Sequence, residues 1–278
     1  MKRFIIPIFI SNQGCKYKCI FCNQSNISSE SVKLDEIDKI IEKYIETQIN
    51  KYGGIHKKYK KKQISFYGGS FTCLGEKRMR SYLNKVEKYI KSGILDSVRL
   101  STRPDCIDEN ILEILKNYYV ETIEIGAQTF NNRLLKNLNR GHTVEDIIKS
   151  ASLIKKKSFE LGIQVMVGVP GEEEKDITNM VDILINIVKP DFIRIYPLLV
   201  IKGTVLEQMY KNKKFFPLSN EETLKRCKKI FKNCLINGIE VIRIGLQDSE
   251  LLKSNIIAGP FIPNIGEIVR NNYNLEVI

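Results

Sequence analysis

Strand-like and helix-like segments alternate along most of this chain, and that alternation restricts the fold more than any other feature. Short β-branched or apolar runs fall at residues 3–10, 63–67, 97–101, 122–127, 162–168 and 192–197. Between them the apolar spacing is helical at 34–49, 76–90, 108–115, 131–138, 143–157 and 175–188. Six such units in succession predict a parallel sheet with helices outside it, because parallel neighbours need a crossover and each crossover here is helical. The sheet is expected to be doubly wound or curled into a full or partial barrel, with ligands at the carboxyl ends of the strands in either case.

The unusual clusters sit at those ends. The first strand is followed by Gly14-Cys15-Lys16-Tyr17-Lys18-Cys19-Ile20-Phe21-Cys22, and the second by Gly68-Gly69-Ser70-Phe71-Thr72. The third ends in Ser101-Thr102-Arg103-Pro104-Asp105, the fourth in Gly126-Ala127-Gln128 and the fifth in Val167-Gly168-Val169-Pro170-Gly171. One site assembled from many strand ends is therefore expected, although a Gly-Gly pair alone is ordinary turn chemistry.

At 278 residues and 43% hydrophobic content the chain can bury a large core. Seven cysteines are an odd number in a chain too long to need disulfide stapling, which points to a reducing, cytoplasmic setting. The apolar start is short, is broken by Pro7 and meets polar Ser11-Asn12-Gln13 before Cys15, so it does not read as a secretion signal. No run is long enough to span a membrane. A net charge of +12 suits a polyanion such as RNA, yet lysine is abundant throughout. The densest run, residues 57–62, reads first as a solvated loop entering a strand.

Three thiols within eight positions need a purpose. At this cysteine content a chance C-x3-C-x2-C is expected in well under about one chain in a hundred. A structural zinc needs four ligands, and the candidates for the fourth, Cys73, His56 and His142, lie far along the chain without finger-like spacing. A 4Fe-4S cluster is held by thiolates, and three of them leave one iron open to an exogenous ligand.

This spacing, with Phe21 just before the last cysteine, resembles the radical S-adenosylmethionine (SAM) superfamily. The resemblance implies a partial (β/α)6 TIM-like barrel over residues 1–200, with a C-terminal α/β extension over 201–278 packed on it as one domain. It implies that Cys15, Cys19 and Cys22 ligate a 4Fe-4S cluster whose fourth iron binds SAM. Reductive cleavage of SAM would then give methionine and a 5'-deoxyadenosyl radical, with an electron donor such as flavodoxin or ferredoxin. Phe21 is placed like the adenine-side aromatic, and Gly68-Gly69 like the turn that meets the methionine amino group. Ser101, Gln128 and Arg140 resemble residues that touch the ribose and carboxylate of SAM, and their hydroxyl, amide and guanidinium chemistry suits those groups. The acidic residue usual after the glycines is Ser70 here.

Within the superfamily the motifs 101–105, 124–130, 139–143, 165–171 and 195–204 resemble the radical SAM part of the Elongator catalytic subunit family most, and oxygen-independent coproporphyrinogen oxidase more loosely. The compact cysteine spacing departs from the Elongator pattern. After residues 241–247 the chain runs only about thirty residues more, so the acetyltransferase half is expected to be missing. The favoured reading is a radical SAM enzyme modifying a tRNA wobble uridine; the others are the same chemistry on a porphyrin or metabolite, and a non-catalytic zinc-stabilised RNA-binding module.

Plainer roles compete for single residues. Arg140 could pair with a helix carboxylate, and His142 could be a cap or packing residue. Tyr67 and Tyr196 read as aromatic core before radical-pathway residues. Cys227 and Cys234, on a predicted helix at 219–237, read as buried free thiols. Cys73 and Cys106 lie nearer the expected site and are candidates for a hydrogen donor or ligand.

Overall fold

A computed structural model describes residues 3–28, 30–52 and 59–276. The chain runs β1 (Arg3–Phe9), α1 (Gln24–Ile27), α2 (Ile37–Tyr52), β2 (Lys61–Tyr67), α3 (Glu76–Lys91), β3 (Ser97–Thr102), α4 (Glu109–Asn117) and β4 (Val120–Gln128). It continues with α5 (Asn132–Asn137), α6 (Val144–Lys156), β5 (Glu160–Val167), α7 (Glu174–Ile183), β6 (Phe192–Pro197), β7 (Val200–Ile201) and α8 (Val205–Lys211). The C-terminal part holds α9 (Asn220–Ile236), β8 (Glu240–Ile244), α10 (Glu250–Asn255), β9 (Ile256–Ala258) and α11 (Ile265–Glu276).

Local chemistry explains the helix starts. Asp108 accepts from the Ile111 amide at 2.7 Å, and Thr143 forms a capping box with Asp146, so α4 and α6 begin where the sequence predicts. The helix predicted over 175–188 is α-helical only to Ile183, after which Leu184–Val188 widen into a π turn.

All six expected strands form and pair in parallel in sequence order, and β8 adds a seventh beside β6. The extension thus contributes to the main sheet as well as packing on it, while β7 and β9 form a separate antiparallel pair.

Side-chain contacts across the sheet show that it curls. Arg3 on β1 donates to Glu160 on β5 at 2.7 Å, and Arg194 on β6 reaches the Tyr67 hydroxyl on β2 at 3.3 Å. Strands four places apart in a flat sheet would be about 19 Å apart, so only a half-barrel brings these groups together. The expected partial barrel is the observed fold.

Ile6, Ile8, Ile64, Phe66, Ile123, Ile125, Ile163 and Ile193 pack against the outer helices. The alternate positions, Gln63, Ser65, Arg99, Thr122, Glu124, Gln164 and Arg194, are polar and line the hollow of the curl. The lysine run needs correction. Residues 57 and 58, with His56, lie outside the described residues, but Lys61 and Lys62 belong to β2. Lys62 is buried, with its ammonium 3.1 Å from the Gly93 carbonyl and 3.2 Å from Asp96. Among the described residues no helix is long and apolar enough to cross a membrane.

Candidate active site at the strand ends

The cysteine loop is fastened to its neighbours by the main chain. The Asn12 amide donates to the Gly68 carbonyl at 2.8 Å, and the Ser70 amide donates to Gln13 at 2.8 Å. These bonds leave no room for side chains. A Cβ on Gly69 would lie 2.5 Å from the Gln13 and Ile10 carbonyls, and one on Gly14, at φ +71°, would lie 2.1 Å from the Ser70 carbonyl. Gly69 therefore has a demonstrable task in seating the cysteine loop itself.

The far half of the loop rests on the segment between α5 and α6. The Ile20 amide donates to Leu138 at 3.2 Å, and the Asn139 side chain donates to the Lys18 carbonyl at 2.9 Å. The Arg103 guanidinium lies 5.0 Å from the centre of the Tyr17 ring. That ring would also collide with any Cβ on Gly141, at 2.3 Å.

Cys15 is exposed, Cys22 half-buried and Cys19 buried. Burial and the neighbouring Cys19 push the Cys22 thiol up to about 12, and burial raises Cys15 as well. Binding a metal to such thiols displaces their protons. Among the described residues no group of three or more His, Cys, Asp or Glu side chains is already closed around a single metal position.

Arg140 connects the loop to the barrel. Its Nη1 donates to Cys19 Sγ at 3.1 Å and its Nη2 to the Gly126 carbonyl at 2.6 Å, while its Nε is buried without a partner. Gln128 stands next to it, at φ +68° on an irregularity between β4 and β5. A Cβ on Gly126 would come within 2.9 Å of Gln128 Nε2 and 3.2 Å of Arg140 Nη2. Arg103 Nη2 is likewise buried without a partner, and the buried ring of His142 has only a weak contact with the Ala127 backbone. Burial, then the charges of Arg140 and Arg103, hold the His142 imidazole down at about 3, so it is neutral at ordinary pH. Among the described residues no carboxylate pairs with Arg140, and His142 caps no helix.

Unspent donors beside three thiols suit an anionic ligand set. A 4Fe-4S cluster with the carboxylate of SAM fits their chemistry.

Ser101 is held differently. Its hydroxyl accepts from Gln164 at 3.2 Å, and Gln164 also donates to Glu124 at 3.0 Å. Phe21 and Tyr196 each pack against a second apolar cluster that includes Ile20, Leu134, Leu138 and Met166. The sequence-predicted residues thus form one patch at Cys19, Arg140 and Gln128, a second at the glycine turns, and Ser101 reached through the interior network.

That network escaped the sequence reading. Glu124 accepts from Arg99 Nε at 2.6 Å, Arg194 Nε at 2.7 Å, Gln164 at 3.0 Å and the Tyr67 hydroxyl at 3.2 Å. Burial works against its charge, but the two guanidiniums and their hydrogen bonds hold it down at about 2. Alternation of apolar and polar residues in β2 to β6 was the available signal. Ser70 was noticed only as a departure. Its hydroxyl contacts Thr102 Oγ1 at 3.1 Å and Cys73 Sγ at 2.9 Å and accepts from the Arg103 amide at 3.1 Å.

One cysteine expectation changes and another holds. Cys73 and Cys106 form a disulfide, so neither is free to act as a donor or ligand in this form. The turns after neighbouring strands β2 and β3 bring their Cα atoms to 5.4 Å across 33 positions of sequence. Cys227 and Cys234 are free thiols in the apolar core, where burial pushes both up to about 12.

A parallel half-barrel that gathers thiols and unspent donors at its strand ends defines a class of barrel proteins that hold their ligands there. The radical SAM superfamily matches residues 9–184 and the radical SAM C-terminal domain matches residues 190–274, so the chain belongs to the radical SAM superfamily. It is 34% identical over 173 residues to the tRNA uridine(34) acetyltransferase of Methanocaldococcus jannaschii, covering 61% of this chain and 31% of that protein. It is 25% identical over 211 residues to the heme chaperone HemW of Bacillus subtilis, covering 75% and 54%. The solved structure of archaeal Methanocaldococcus infernus Elp3 superposes with a TM-score of 0.76 at 21% identity, covering 99% of this chain and 63% of that one. The chain therefore matches only about a third of the acetyltransferase and about half of the heme chaperone.

Proposed function

We propose that this protein holds a 4Fe-4S cluster on Cys15, Cys19 and Cys22, binds SAM beside it and uses the pair for radical modification of RNA of the tRNA wobble-uridine kind. When bound, the cluster and SAM supply a one-electron cleavage that yields a 5'-deoxyadenosyl radical. The chain's own residues seat, orient and enclose these groups.

The observation that carries the reading is Arg140. Its guanidinium donates to Cys19 Sγ, has its Nη2 on the same side of Gly126 as Gln128, and keeps a buried Nε without a partner. One thiol is thereby positioned, and a cationic donor remains for a carboxylate. Gly14 and Gly69 let the loop lie against the turn after β2, with Gly68 available for a main-chain contact to the amino group of SAM. Ser101 and Gln128 offer hydroxyl and amide groups for a ribose, and Phe21 an aromatic surface for an adenine. Residues 1–278 act as a single unit, with 1–200 as the barrel and 201–278 packed on it; the pairing of β8 with β6 supports this. A small protein such as flavodoxin or ferredoxin supplies the electron, in the cytoplasm.

The likeness to a tRNA uridine(34) acetyltransferase supports a tRNA substrate, and the net charge of +12 favours a polyanion. The test is anaerobic reconstitution with iron and sulfide, reduction, and chromatography for 5'-deoxyadenosine, with Cys19→Ala as control. Turnover that disappears in the variant and rises on adding tRNA is expected. A full, reducible cluster that makes no deoxyadenosine overturns the reading. Turnover indifferent to tRNA at low salt overturns only the RNA assignment and favours a small molecule.

A further inference from the structure

Arg194 and Arg243 lie level with each other on β6 and β8. The pairing before them is Ile193 with Val241, so Ile242 is an extra residue in β8 and Arg243 is brought onto the face that carries Arg194. Bulges of this kind re-aim side chains beside functional sites. Like charges side by side on neighbouring strands are destabilising unless something answers them.

Arg194 is answered by Glu124 at 2.7 Å. Arg243 makes no hydrogen bond or ion pair with any described residue. Its charge is felt at the Tyr196 hydroxyl, which also senses Arg194 and Glu124. The hollow therefore contains Arg3, Arg99, Arg194 and Arg243 against the carboxylates of Glu124 and Glu160, and Glu160 is paired with Arg3.

Arg243 also lines a cavity of about 280 Å³ between the end of β6, the turn after β8 and the segment 260–267. Two carboxylates border this space. Asp248 pairs with Lys253 at 2.9 Å, and Glu267 forms no ion pair with Arg243. Phe261, Ile262 and Pro263 give the space an apolar lining, and Arg270 also borders it, with its Nη2 donating to the Val241 carbonyl at 3.1 Å. Apolar lining beside a guanidinium without a protein partner is the pattern of a small-ligand site, and the volume is close to the lower end of the usual range of about 300–1,000 Å³.

We propose that Arg243 anchors an oxyanion of the substrate, a phosphate or carboxylate on a nucleoside-sized group, in the cavity beside β8. This rests on the radical SAM reading and assigns it a substrate class. A guanidinium offers two parallel donors to such a group. The cavity is too small for a duplex but admits one extruded nucleotide, or a free metabolite of similar size.

The test is equilibrium binding to the full chain, read by calorimetry with uridine 5'-monophosphate and with uridine. The monophosphate is expected to bind about tenfold tighter or more, and Arg243→Gln to erase that difference. Arg243→Lys is expected to restore part of it. Competition by inorganic phosphate supports a free oxyanion as the source, and competition by a short uridine-containing RNA supports a polynucleotide. Equal affinity for the two probes, or an unchanged preference in folded Arg243→Gln, overturns the proposal. Because deoxyadenosine formation is measured separately, its absence with the phosphate preference intact removes the radical reading alone.

Discussion

Replacing Glu124 by Gln keeps the shape of a fully buried side chain and removes its charge, leaving Arg99 and Arg194 facing each other across a neutral amide. The wild-type carboxylate accepts five hydrogen bonds, two of them from Arg194 and the others from Arg99, Gln164 and Tyr67. Two routes give the magnitude. A carboxylate held at about 2 instead of its ordinary 4.5 contributes about 3 kcal/mol at neutral pH. Breaking a buried ion pair by removing one partner costs about 3–5 kcal/mol, because Arg99 has a side chain only 1% exposed and cannot reach water. A loss of about 4 kcal/mol is therefore expected from urea titrations followed by fluorescence and circular dichroism, provided the two probes coincide. The folded pKa is the lower one, so the contribution is complete above about 4.5 and is lost as pH falls toward 2. Wild type and Glu124→Gln should accordingly converge in acid. The double variant Glu124→Gln/Arg99→Met should recover part of the loss, since it withdraws one stranded charge. A loss below about 1 kcal/mol at pH 7 would refute the reasoning and mean that the guanidiniums are compensated by other groups.

Gly69→Ala puts a methyl 2.5 Å from two carbonyls of the cysteine loop, so it should cost about 1–3 kcal/mol or more and sharply reduce the iron retained after reconstitution; unchanged iron and urea midpoint contradict that packing argument. Reducing the Cys73–Cys106 disulfide, or replacing both cysteines by Ala, reopens a loop of 33 positions and should lower stability by about 4 kcal/mol on chain entropy, with equal melting of oxidised and reduced protein as the contrary result. His142 is held at about 3, below its ordinary 6.5, so the unfolded chain takes up a proton first as pH falls and stability drops below about 6.5. At pH 5.5 that loss is about 1.4 kcal/mol, and His142→Gln should show a flatter profile between pH 7 and 5. A variant as steep as wild type shows that other groups set the slope.

The barrel was legible because its signal is local and repeated. Each strand has its own apolar run and each helix its own periodicity, and Asp108 and Thr143 act as caps within their own segments. The cysteine loop was legible for the same reason, since all three thiols fall within eight positions. Arg140 and Gln128 were identified through motif likeness, and their adjacency became visible only where both crowd Gly126. Gly69 was read as a cofactor turn, whereas its nearest obstacles are carbonyls of the chain itself. The seventh strand was missed as part of the main sheet because nothing local in β8 specifies β6 as its neighbour.

By itself the sequence determined what periodicity and short spacing can encode: the succession of parallel strands and helices, the end of the sheet where chemistry gathers, and three thiols in one loop. Tertiary structure alone decided which distant side chains meet. Glu124 joins Arg99, Arg194, Gln164 and Tyr67 from four other strands, Cys73 finds Cys106, and one extra residue in β8 sets Arg243 level with Arg194. These encounters depend on the curl of the sheet and on strand register, which arise from the packing of the whole chain and leave no mark in any one segment.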